Sequence, residues 1–155
     1  MTNNLLEENT LKTLLLSKFK LKDYNYLPLI FGGFLFALSS ILHFHFLNQS
    51  EFATGWDSYF YIIQIKSFFE EGKMHSNDVS LIYPFYFCLY FLIENYELSF
   101  KIGSALLVGL YTLSLFSVGL EKSKSTAFLL VSWSLASPHL TYFSSQYPKN
   151  LLGIC

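Results

Sequence analysis

The sequence contains no arginine, and its ten lysines and eleven acidic residues leave a net charge of −1. Charged residues make up only 14% of the chain, against about 25% in a soluble domain. A phosphate backbone needs a basic surface that such a chain cannot offer, so nucleic acid is excluded as a partner. The only two cysteines are Cys88, inside an apolar run, and Cys155, which excludes a disulfide framework. Low charge combined with 52% hydrophobic residues also excludes a disordered chain. No cleavable signal peptide is expected, because the first apolar stretch is too long and lacks a small-residue cleavage site.

What the sequence has is apolar and aromatic mass. Phe, Tyr and Trp form 19% of its 155 residues, and mean hydropathy is +0.38. Residues 27–47 carry no Lys, Asp or Glu; at 1.5 Å per residue they would reach about 32 Å, enough for a bilayer core of about 30 Å. Further apolar runs cover residues 79–96, 102–120 and 126–143, the last with Pro138 inside it and a kink expected there. These patterns predict an all-α integral membrane fold with four transmembrane helices. Residues 1–26 form a cytoplasmic tail, in which Leu11, Leu14, Leu15 and Phe19 share helical spacing. Residues 27–155 form the transmembrane domain, with residues 48–78 as its first outer loop. Lysines near the first span set the N-terminus inside. With four crossings, Lys101 and Lys149 fall inside, and Lys122 and Lys124 outside.

The outer loop holds an amphipathic stretch suited to a helix lying in the membrane interface. Tyr61, Ile62, Ile65, Phe68 and Phe69 share one face; Gln64, Ser67, Glu70 and Glu71 share the other. Asp57 stands where an N-cap is expected and Gly72 where a C-cap is expected. Tyr61 and Gln64 follow Asp57 by about one and two turns on the same side. With His75 and Asp78 they form a polar group at the water–lipid boundary. A carboxylate there could take a proton from an acceptor. With a second carboxylate it could hold a divalent metal against a phosphate. His43 and His45 are two residues apart and share no helix face, so they are not a metal pair; they fit interfacial positions at the end of the first span. His139 fits a polar group packed at the Pro138 kink.

Three elements in order carry a resemblance: GWDSYFY at 55–61, the Glu71–Gly72 turn, and D-x-S-L-I-Y-P from Asp78 to Pro84. Together with the first span before them, and with residues 137–154, they resemble the GT-C superfamily of integral-membrane glycosyltransferases. The resemblance implies transfer of a sugar from a polyprenyl-phosphate donor to an acceptor on the outer face of a bacterial inner membrane. It puts Asp57 in the catalytic position and Tyr61, Gln64, His75 and Asp78 at the substrate. It also implies that the chain is the N-terminal part of a longer transferase. The alternative is a non-catalytic membrane scaffold, for which Ala105 and Gly109 offer a small-residue pair for helix packing. A transporter is disfavoured, because the span centres hold no Asp, Glu or Lys.

Overall fold

The computed structural model describes residues 26–53 and 55–155; the helix expected around Leu11–Phe19 lies outside the described residues. Among these residues the fold is all-helical, with seven helices and no strand. Helix α1, Leu27–Leu47, carries Pro28 in its first turn, where a missing N–H costs nothing. Helix α2, Trp56–Glu71, stops at Gly72, which takes the left-handed conformation at φ 72°. Helix α3 covers Ile82–Ile93 and α4 covers Tyr96–Lys122. Helices α5 (Lys124–Ala136) and α6 (Pro138–Gln146) follow, then α7 (Pro148–Ile154). Two of these, α1 and α4, are long and apolar enough to cross a membrane.

Helices α1 and α4 pack antiparallel. Lys101, near the start of α4, donates to the Ser50 carbonyl (2.5 Å) and the Glu51 carbonyl (2.9 Å) just beyond the end of α1. Further along, the Ser39 and Thr112 hydroxyls meet at 2.8 Å. A Cβ on Gly109 would overlap the Ser40 hydroxyl and approach the Phe36 carbonyl oxygen at 2.9 Å. The glycine therefore lets the two backbones come together. Helix α5 returns alongside α4, with Ala127 against Gly119 and Ser134 bonded to Thr112 at 2.6 Å. The chain breaks at Ser137, where the backbone is extended, and Pro138 opens α6. The kink expected at Pro138 is realised as this break.

A polar seam joins these legs. Thr112 donates to its own helix at Val108, so the Ser39 and Ser134 hydroxyls both donate to it. His43 is fully buried. Its Nε2 faces the Ser134 carbonyl at 3.2 Å and must donate there. Its Nδ1 therefore accepts from the Thr141 hydroxyl, 2.5 Å away. His43 thus faces inward and ties α1 to both α5 and α6. His45 and His139 are exposed, so His139 is not packed into the bend.

The run at 79–96 differs most from expectation. Its helix, α3, has 12 residues, about 18 Å, short of a bilayer core. Glu94 and Asn95 alone separate it from α4. Tyr86 bonds Ser104 and Tyr90 stacks on Tyr96 at 4.3 Å, so α3 folds back along the first turns of α4. Lys101 and Lys149 consequently lie at the same end of the bundle as Asp78. Lys124 lies at the other end, beside Leu27 and Pro28. This reverses the placement of Lys101, Lys122, Lys124 and Lys149 that alternating spans implied.

Candidate functional site

The end of the bundle capped by α2 and α3 gathers most of the polar residues singled out from sequence. Helix α2 begins two positions earlier than an Asp57 cap would require. Its N-cap is Gly55, at φ 92°, a conformation that L side chains rarely adopt. A side chain there would also run into Gln146. Gln146, at the end of α6, accepts from the Asp57 backbone N–H at 3.4 Å and donates to the Ser58 hydroxyl. Ser58 in turn donates to the Ser145 carbonyl at 3.1 Å. The end of α6 thus anchors the start of α2. Gly55→Ala should undock it, lowering stability by about 2 kcal/mol; an unchanged unfolding midpoint in detergent would contradict this close contact.

Asp57 is therefore not the N-cap. It sits in the first turn of α2, exposed, and no hydrogen bond reaches its carboxylate among the described residues. The helix dipole favours its charge there, and the carboxylate stays open to solvent.

Tyr61, one turn on, is buried. Its ring stacks on Phe100 at 6.1 Å and lies near those of Tyr83 and Tyr86. Burial, then the charges of Asp78 and Asp57, push its hydroxyl up to about 12. Tyr61 stays protonated at neutral pH, which suits a donor and excludes a phenolate nucleophile.

Asp78 is held in place by two partners. Its Oδ2 accepts from Lys149 Nζ at 2.5 Å and from the Tyr83 hydroxyl at 2.5 Å. The Lys149 bond is the largest cause holding its carboxyl below the ordinary value of 3.8, with Tyr83 second. Lys149 also stands 5.9 Å from the centre of the Tyr61 ring. Lys149 is the functional candidate that sequence reasoning missed, since it lies 71 positions from its partner.

A carboxyl lowered on folding stabilises the fold above its unfolded pKa and loses that contribution as pH falls through the folded value. The Asp78–Lys149 tie should therefore hold at neutral pH and fade below about pH 4. Both side chains are partly exposed, so its worth is about 1 kcal/mol. Amide protection factors in α7, each referred to the intrinsic exchange rate at its own pH, should fall on acidification in wild type and already be low at neutral pH in Asp78→Asn; undiminished protection in that variant would contradict the tether.

Gln64 and Ser67 were expected on the watery face of α2, yet both are buried. Gln64 bonds Ser76 twice: its amide N–H donates to the Ser76 hydroxyl, and its carbonyl accepts from the Ser76 N–H at 3.1 Å. It is a clamp on the loop that carries Asp78. The outward side of α2 instead carries Tyr59, Phe60 and Ile63. His75 is exposed and outside this cluster of bonds. A divalent metal does not fit. Among the described residues no three His, Cys, Asp or Glu side chains converge, and the Lys149 ammonium already occupies Asp78, repelling any second cation. The sequence matches no protein-family model, and no curated protein or solved structure is similar to it.

Proposed function

We propose that the chain is a multi-pass membrane protein whose α2–α3 end lies at the outer face and serves the transfer of a sugar from a polyprenyl-phosphate donor. Helices α1, α4 and α5–α6 cross the bilayer, and α7 begins a return. Helices α2 and α3 lie in the outer interface and do not cross. The apolar length of α1 and α4 and the exposed Tyr59, Phe60 and Ile63 on α2 support this placement. The end carrying Lys122 and Lys124 faces the cytoplasm, along with the lysines before residue 27.

The observation that carries the functional reading is one cluster at the end of the bundle: the exposed Asp57 carboxylate one turn before the buried Tyr61, whose ring centre lies 5.9 Å from Lys149 Nζ, itself held by Asp78. Asp57, open to solvent, takes the proton of an acceptor hydroxyl. The acceptor oxygen bonds to the anomeric carbon, and the bond from that carbon to the phosphate oxygen breaks. The electron pair leaves on the polyprenyl phosphate. Lys149 is the cation of the cluster that a phosphate would meet, and Tyr83 with Asp78 fixes its position. Tyr61, kept protonated, can donate to the same oxygens.

The scaffold alternative loses its main support, because Gly109 is used inside the chain against α1. Membranes containing the protein should move label from a polyprenyl-phosphate sugar to an outer-face acceptor, and membranes lacking it should not. Equal incorporation in the two preparations would end the proposal.

A further inference from the structure

At the opposite end of the bundle a groove of about 490 Å³ runs between α1, the last turns of α4, and α5. Its walls are Phe31, Leu35, Phe116, Val131 and Leu135, with Lys124 at its mouth. The volume falls within the roughly 300–1,000 Å³ of a small-ligand site. The charge sits at one end only, and the remaining lining is almost wholly apolar. Lys124 makes no ion pair among the described residues, not even with Glu121 three positions earlier.

We infer that this groove binds an anionic phospholipid of the cytoplasmic leaflet, with one acyl chain along the walls and the phosphate at Lys124. The inference rests on the membrane placement proposed above and is independent of the transfer chemistry. Charge and shape together favour this occupant. An apolar slot ending in one ammonium complements a chain with an anionic head. In the orientation proposed, that ammonium stands at the depth of the cytoplasmic headgroups, where a lysine attracts anionic lipid. A helix from a second copy is the competing occupant, which the test below separates from a lipid.

The test is native mass spectrometry of the full chain released from nanodiscs of equal phosphatidylglycerol and phosphatidylcholine. Wild type should retain phosphatidylglycerol about fivefold over phosphatidylcholine. Lys124→Gln, an exposed change that leaves the packing alone, should erase that preference. Ser132→Trp, filling the groove, should reduce retention of both lipids. Equal retention of the two lipids by wild type, or an unchanged preference in Lys124→Gln, overturns the inference. So does a lipid-free dimer cross-linked through this face. Carbonate extraction of the source membranes separates the two failures. Protein released as soluble would sink the membrane placement itself; protein retained in the pellet without lipid preference would sink the groove alone.

Discussion

Asp57→Asn should lower sugar transfer by at least about 100-fold, the usual worth of a general base, while the protein still inserts and folds. The expectation rests on where the carboxylate stands. Were Asp57 the N-cap of α2, its side chain would be occupied by the first N–H groups of the helix and not open to an acceptor. The cap is Gly55, and the nearby bond uses the Asp57 backbone N–H, which asparagine retains. The variant therefore removes charge and basicity with little else. Glu71→Gln, at the far end of the same helix, changes charge equally and should leave transfer intact. Parallel losses in both variants would point to bulk surface charge and against a base at Asp57.

Gly109→Ala should destabilise the protein by about 2–3 kcal/mol. Alanine is the better helix former by about 1 kcal/mol, so the sign is decided by packing. The added Cβ has no room against Ser40 and meets the Phe36 carbonyl at 2.9 Å. The serine is itself bonded to that carbonyl at 2.9 Å, so neither group can easily turn away. Gly33 is the control, because a Cβ there meets nothing within 4 Å. Gly33→Ala should be neutral or slightly stabilising in the same denaturation series. Equal effects at the two glycines would contradict the close approach of α1 and α4.

Local signals made much of the helical outline legible. Residues 27–47 form a helix with those ends because an uninterrupted apolar run begins at a proline and ends at Asn48. Gly72 closes α2 as its left-handed preference suggested, and the Pro138 bend followed from the missing N–H. One further local signal was present but unread. Asn95 accepts from the Leu98 N–H with Glu97 in the first turn, a helix start that divides 79–96 from the next run. Reading it would have shortened the second apolar run to α3.

The site was legible only in part. Asp57, Tyr61, Gln64 and Asp78 do gather at one end of the bundle, because a short loop and one helix hold them. Their roles depend on residues far along the chain. Gln146 takes the cap region of α2 from 89 positions away, and Lys149 takes Asp78 from 71. His43 finds Thr141 across 98 positions. No periodicity within one helix encodes such contacts; they appear only once α1, α4 and α5–α6 have packed.

Both the proposed transfer site and the proposed lipid groove depend on α3 turning back instead of crossing. Single cysteines in a Cys88→Ser, Cys155→Ser background test this directly, using a membrane-impermeant maleimide on intact cells. With α3 lying in the interface, Glu94→Cys should label from outside and Lys122→Cys should label only after the membrane is opened. Were α3 a crossing helix, the pattern would invert: Glu94→Cys protected, Lys122→Cys labelled from outside, and the lysine ends of the bundle exchanged.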